Sequence, residues 1–267
     1  MIAGIDIGST TTKAVLRDKN EIVCMIRTKA LDPITSATGI LGKILFERNI
    51  PLSKVEKISI TGVGSSKIDG DIFNIPTIKT DEITAIGRGG MYLSGGDDII
   101  ITNIGTGTAI IEANSHGIKH IGGTGIGGGT IVGMSKRMLG TIEIENIVTM
   151  AARGNLNPVD LLIGDIIDSG ISFLQKDNTA SNFGKMLDTA SNDDIALGIV
   201  NMVYQVIGVM SVFAVRSRNK NAISFTGNGS TNPIGRNILL AIAAMYDIEF
   251  NFPDNPEYAT ALGAALI

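Results

Sequence analysis

Asp6, Gly8, Ser9, the threonines at 10, 11 and 12, and Lys13 stand within eight residues, between two apolar runs. A tight turn needs a glycine. It does not need an acid, four hydroxyls and a lysine. Glycine lets backbone N–H groups come close to a ligand, and successive N–H groups form an anion nest. Ser and Thr hydroxyls donate to phosphate oxygens, and Lys13 adds a point charge. Asp6 suits Mg²⁺ held through water, because magnesium keeps several waters and takes one or two carboxylates. Glycine loops also fall at 105–108, 122–130 and 227–230. Laid on the opening, "IDIGSTTTKAV" matches "TNIGTGTAIIE" at residue 102 onward. "GIGGGT" runs into a helical stretch, whose N-terminus adds partial positive charge. One Gly/Thr hairpin reads as a turn; two hairpins and a glycine-rich helix start read as a polyphosphate site. The loops are not of the G-x-x-x-x-G-K-[ST] type. "GTGIGG" at 123–128 fits G-x-G-x-x-G but follows a hairpin instead of opening a βαβ unit. Phosphoryl transfer needs a group that orients or deprotonates the acceptor. Asp81 and Glu82, at a helix start, are candidates, and they equally fit a helix N-terminus stabilised by its dipole.

The elements that must carry these loops follow from periodicity. Residues 2–7, 12–16 and 22–27 predict a three-strand meander. Apolar residues at 34, 37, 40, 41, 44 and 45 predict a helix over 34–48, ended by Pro51. A strand over 57–65 and a helix over 80–93, capped by Thr80 or Asp81, follow. The second hairpin (98–113) leads into the glycine loop and helix. A long apolar helix at 195–216, a strand from 222 ending in the 227–230 loop, a helix at 237–246, a short strand and a closing helix complete the chain. The order predicts two α/β lobes, 1–93 and 94–267, over a cleft.

Composition narrows the class. The chain has 267 residues, 44% hydrophobic and 18% charged, enough for a substantial core. A net charge of −4 argues against nucleic acid as the partner. No uninterrupted apolar run reaches the roughly 20 residues of a membrane span, and an acid at position 6 excludes a signal peptide. Cys24 is the single cysteine, which excludes an internal disulfide or a single-chain cysteine cluster. A cytoplasmic protein is expected.

The residues "GIDIGSTTTK" resemble the first phosphate loop of the actin-like ATPases and sugar kinases. Within that superfamily the chain resembles the bacterial type II pantothenate kinases over nearly its whole length. The carriers are "GIDIGSTTTK", "NIP" ahead of Glu82, "NIGTGT", "GGTGIGGGTIVG", "TASNFGKML" and "ATALGAAL". The resemblance implies the actin/sugar-kinase-like, ribonuclease H-like ATPase fold, with ATP and Mg²⁺ between the lobes. It implies phosphorylation of pantothenate, the first step toward coenzyme A, by a homodimer joined through helix 195–216. It places Glu82 as catalytic base. Asp6, Ile7, Gly8, Ser9, Thr10, Thr11, Thr12 and Lys13 fall at the ATP phosphates and Mg²⁺, with Asp6 on the metal. Thr106 and Gly127, Gly128, Gly129, Thr130 and Ile131 line the nucleotide site, and Asn228 lies near adenosine. His120, with Thr106, falls on the pantothenate side.

The chain departs from the family there. His120 stands where the family carries an arginine, and a neutral imidazole does not replace a bidentate guanidinium. The preceding Lys119 should point to the opposite strand face, and Ala109 stands where some relatives carry serine. The alternatives are a kinase for another small hydroxy acid, a nucleotide-dependent activator ATPase, and a sensor binding coenzyme A or acyl-CoA. The opening also resembles activator ATPases of 2-hydroxyacyl-CoA dehydratases, which hold a [4Fe–4S] cluster with cysteines of each subunit. The glycine loop here carries no cysteine.

Overall fold

The computed structural model describes residues 1–167 and 175–267. Strand β1 (Ile2–Ile7) turns through residues 8–10 into β2 (Thr11–Asp18), and β3 (Glu21–Lys29) returns beside it. Helix α1 (Pro33–Glu47) starts with Asp32 accepting the Thr35 N–H at 3.0 Å and proline at its first position, both favoured helix openings. Strands β4 (Lys57–Thr61) and β5 (Thr77–Lys79) follow, with β4 parallel to β1 and β5 parallel to β4. The sheet runs β3-β2-β1-β4-β5.

Helix α2 (Glu82–Ser94) leads to a second meander, β6 (Asp98–Ile104), β7 (Thr108–Asn114) and β8 (Gly117–Thr124). An insertion follows: α3 (Gly128–Met138), α4 (Ile144–Ala151), β9 (Leu161–Leu162), α5 (Ile163–Ile166), β10 (Thr179–Ser181) and α6 (Asn192–Ser217). Strand β11 (Ala222–Thr226), α7 (Pro233–Tyr246), β12 (Glu249–Asn251) and α8 (Ala259–Ala265) complete the chain. The second sheet, β8-β7-β6-β11-β12, repeats the first strand for strand, with β11 parallel to β6 and β12 parallel to β11.

The expected strand over 57–65 stops at Thr61. Gly62 takes φ 82°, and residues Val63–Lys67 wind into a 3-10 turn. Gly227 does the same after β11, with φ 84° before the turn Asn228–Thr231. Strand β5 and helix α4 were not expected. Three residues of β5 are too few to show a period.

The two sheets exchange helices. Helix α2, which follows the first sheet, packs on β6, β7 and β8, with Ile86, Ile101, Ile111 and Ala113 forming their core. Helix α8, which follows the second sheet, packs on β1, β2 and β4, where Val15, Ala261 and Leu262 meet. The two helices touch where their backbones nearly meet. A Cβ on Gly89 would lie 1.8 Å from the Ala259 carbonyl oxygen, and one on Gly263 would lie 1.7 Å from that of Ala85. Helix α1 covers the other face of the first sheet, and α6 is the core helix of the second lobe. By length and composition α6 could cross a membrane, but 61% of its most apolar stretch is buried inside the protein, as befits a core helix. It starts before residue 195 because Ser191 and Asp194 cap each other reciprocally.

The segment containing "TASNFG" is tied to α6 by one buried acid. Asp160 accepts from Thr179 Oγ1 at 2.9 Å, the Phe183 N–H at 2.9 Å and Asn201 Nδ2 at 2.9 Å. A buried carboxylate with this many donors is satisfied without a cation.

Candidate active site

The turns of the two hairpins meet. Ser9 Oγ and Thr106 Oγ1 are 3.0 Å apart, although 97 positions separate them in the chain. The hairpins carry different chemistry at equivalent places. Asp6 is the last residue but one of β1 and is buried; Asn103 stands at the matching place on β6. Lys13 Nζ donates to Asp6 Oδ2 at 3.3 Å, and both groups are buried. Burial drives the Asp6 pKa up, and the Lys13 charge and hydrogen bond only partly oppose this. On the second lobe, Thr226 Oγ1 and Asn103 Oδ1 form a neutral bond at 3.1 Å. Charge is therefore concentrated on the first hairpin.

Glu82 opens α2 beside this pair. Asp81 is occupied as the helix cap, accepting from the Thr84 N–H at 2.8 Å and Thr84 Oγ1 at 2.9 Å. Glu82 has no such duty and sits at the solvent-accessible rim. Its pKa is raised, first by the protein packed round it and then by the negative charge of Asp6, with Lys13 pulling the other way. The carboxyl thus feels both members of the buried pair.

Lys13 donates to Asp6 Oδ2, so Oδ1 is the oxygen that would face a cation. A Cβ on Gly62 would lie 2.5 Å from Asp6 Oδ1, so the glycine keeps the space in front of that oxygen open. Thr61 Oγ1, next to Asp6 in register, is buried without a protein partner. No group of three acidic, histidine or cysteine side chains gathers among the described residues. The donor set fits Mg²⁺, which needs one or two carboxylates and fills its remaining positions with water and phosphate oxygens.

Other expected residues occupy different roles. Ile7 is buried in the core under α1 and has only its backbone to offer. Thr12 is fully buried, and its hydroxyl has no partner. Strand alternation places it on the face of Ala14 and Leu16, against α1, so the expected hydroxyl donor to phosphate is turned away. Gly8, Ser9, Thr10 and Thr11 form the accessible turn and the first strand residue after it.

The glycine-rich start of α3 is closed instead of open. The Gly128 N–H donates to the Gly105 carbonyl at 2.9 Å and the Gly129 N–H to that of Thr106 at 2.9 Å. The Gly127 N–H donates to Thr130 Oγ1 at 3.2 Å, and the N–H groups of Thr130 and Ile131 donate to the Gly127 carbonyl. The expected nest of free donors at 127–131 is thus spent, two on holding the Gly105–Thr106 turn of the second hairpin and three within the helix start. On the far side, the Gly227–Thr231 turn is anchored by Tyr204 of α6, whose hydroxyl donates to the Gly229 carbonyl at 2.6 Å.

His120 is paired with Ile111 and Lys119 with Glu112. Directly paired residues share a sheet face. Ile111 packs under α2, so His120 faces the side of Glu82's helix. Glu112 meets Arg218 at 3.7 Å, so Lys119 points to the other face, as alternation predicted. A cavity of about 630 Å³ lies elsewhere, at the starts of β6, β11 and β12. Its lysine, Lys220, is already paired with Asp98.

The Fumble family profile matches residues 98–266, more than half of the chain. The chain belongs to the Fumble family. A type II pantothenate kinase from Oceanobacillus iheyensis is 30% identical over 225 residues, covering 80% of this chain and 83% of that protein. One from Bacillus cereus is 29% identical over 247 residues, covering 86% and 85%. The Fumble-family chain is therefore also a member of the type II pantothenate kinase sequence family that its loops resemble. Among solved structures, the activator of the 2-hydroxyisocaproyl-CoA dehydratase from Clostridium difficile, with bound ADPNP, superposes with a TM-score of 0.68 at 19% identity, covering 99% of this chain and 92% of that one. The ROK hexokinase from Thermus thermophilus gives 0.58 at 12%, covering 99% and 97%. These likenesses establish the actin/sugar-kinase-like ATPase fold.

Proposed function

We propose that this Fumble-family protein transfers the γ-phosphoryl group of Mg·ATP to the terminal hydroxyl of pantothenate, giving 4′-phosphopantothenate in the first step of coenzyme A biosynthesis. The observation that carries the reading is the meeting of both hairpin turns at Ser9 and Thr106, with the raised carboxyl of Glu82 beside the Asp6–Lys13 pair. The acceptor oxygen attacks the γ-phosphorus as its bond to the β-phosphate oxygen breaks, and ADP leaves. Glu82 takes the acceptor's hydroxyl proton as the new bond forms. Ser9, Thr10 and Thr106 bind phosphate oxygens, with Gly128 and Gly129 bracing the Gly105–Thr106 turn. Asp6 would hold magnesium through water, and the bound ion neutralises phosphate charge. Asn228 lies toward the nucleoside.

His120 favours a second reading of the acceptor. The family's fork-shaped cation is missing on the face that looks toward Glu82, so an acceptor with a different acidic end fits the same chemistry. Cys24, buried beside Arg48 under α1, does not face the cleft and gives the activator reading no support. We also place the protein in the cytoplasm as a homodimer, because Phe213 of α6 and Leu240 of the adjoining α7 leave apolar surface exposed. Light scattering should give a dimer that Phe213→Glu weakens; a wild-type monomer at micromolar concentration ends that part of the proposal.

The deciding measurement is ADP release with and without acceptor. Pantothenate should raise the rate well above basal hydrolysis. A rate that rises only with another hydroxy acid replaces the acceptor, and a rate that no hydroxy acid changes removes the kinase assignment.

A further inference from the structure

The first sheet places two charged groups on opposite flanks of its phosphate hairpin. Glu82 opens the helix that follows β5, at one edge; Arg27 sits on β3, at the other. At about 4.8 Å per strand step, those edges are roughly 19 Å apart, with the β1–β2 turn between them. Arg27 pairs in register with Lys13, and Lys13 with Asp6. Residues so paired share a face, so Arg27 looks the same way as the buried ion pair, toward the second lobe. It reaches that lobe: its Nη1 donates to Asn228 Oδ1 at 3.3 Å. Arg27 is exposed, and this neutral carboxamide leaves most of its donors unused. Asn228 starts the turn that Tyr204 clamps, so the contact joins β3 to a braced loop of the opposite lobe.

In-line phosphoryl transfer puts acceptor and leaving group on opposite sides of the phosphorus. With the acceptor on the Glu82 flank, the departing nucleoside diphosphate must extend toward β3. We infer that Arg27, with Asn228, grips the nucleoside end of the nucleotide between the lobes, its planar fork hydrogen-bonding the sugar hydroxyls. This rests on the kinase reading above. Arg27 is then a nucleoside-binding residue contributed by the lobe that also holds the phosphates.

Calorimetry without acceptor tests this on the full chain with Mg·ATP, Mg·ADP and Mg·tripolyphosphate. Arg27→Ala should weaken both nucleotides by about tenfold or more and leave tripolyphosphate unchanged. Arg27→Lys should recover only part of the loss, because an ammonium lacks the fork. Adding Asn228→Ala to Arg27→Ala should cost less than the sum of the single losses. A structural role alone would not separate nucleotide from tripolyphosphate. Wild-type affinity for ATP in Arg27→Ala overturns the inference, and so does an equal loss of tripolyphosphate, which would put Arg27 on the phosphates. Because no acceptor is present, a wrong acceptor leaves the result standing. A wild type that binds no nucleotide removes this inference and the kinase reading together.

Discussion

Glu82→Gln is expected to lower kcat by about 10²–10⁴-fold, the usual contribution of a positioned general base, with ATP affinity retained. The substitution keeps the shape and removes only the basic oxygen. The carboxyl is free for the task because the neighbouring Asp81 already satisfies the helix start. Its pKa is raised by surrounding protein first and by Asp6 second, which moves a carboxylate toward the basicity that proton transfer at neutral pH needs. Wild-type kcat/KM should therefore rise with pH through a value above the ordinary glutamate range, and that limb should vanish in Glu82→Gln. Equal turnover in the two proteins would remove Glu82 from the chemistry.

The same shift has a signed effect on stability. A carboxyl whose folded pKa exceeds its unfolded value binds more protons when folded. Stability therefore falls as pH rises from the ordinary carboxylate value through the raised one, and stays lower above it. Asp6 adds to the trend, since burial raises its pKa as well. Glu82→Gln has no ionisation to suppress at that position. It should be more stable than wild type near neutral pH, with the gain disappearing below the unfolded carboxylate pKa. An active-site acid that costs stability where it works is the pattern expected of a functional residue. Urea denaturation of both proteins across pH reads it directly.

The hairpins were legible because their information is local: apolar strands flanking a turn of glycine and hydroxyls, written twice. A second repeat was also available in the sequence. "ISITGVGSS" from residue 58 and "ISFTGNGST" from residue 223 share six of nine positions. They fold into the same glycine-led turn, with Ser65 Oγ and Ser230 Oγ each donating at 2.7 Å to the carbonyl of that glycine. Reading the repeat would have ended β4 at Thr61 and put Gly62 in a loop, as Gly227 is. Other features depend on pairing that no local pattern carries. Thr12 is turned inward by strand phase, and Arg27 meets Lys13 across a register that shifts at Leu16 and Arg17. Of the donors at 127–131, those of Gly128 and Gly129 are consumed by a hairpin some twenty positions earlier and the rest within the helix start itself, which composition alone does not reveal. Helix α8 belongs by packing to the strand that opens the chain, and only the folded molecule brings those two ends together.

That return of α8 sets the second large effect, at the crossing of α2 and α8. Gly263→Ala would put a methyl group 1.7 Å from the Ala85 carbonyl oxygen, and Gly89→Ala would put one 1.8 Å from that of Ala259. The obstructing atoms are helix backbone, so no rotamer change relieves them and the helices must separate. Overpacking of this kind costs about 1–3 kcal/mol and sometimes more; with backbone on both sides, each variant should lie at or above about 3 kcal/mol. Gly42 in α1 supplies the control, because a Cβ there meets nothing within 4 Å. Alanine at that exposed helical site should instead stabilise by about 0.5–1 kcal/mol. The two crossing glycines touch each other's helix, so the double variant should cost clearly less than the sum of the singles, since the first methyl already opens the gap. Separation also moves the start of α2, and with it Glu82, relative to Asp6. Gly263→Ala should therefore lose transfer while it remains folded in the absence of denaturant. Single variants as stable as the Gly42 control would show that the lobes are not joined by this contact, and Glu82 would then need another anchor to stay beside the phosphate hairpins.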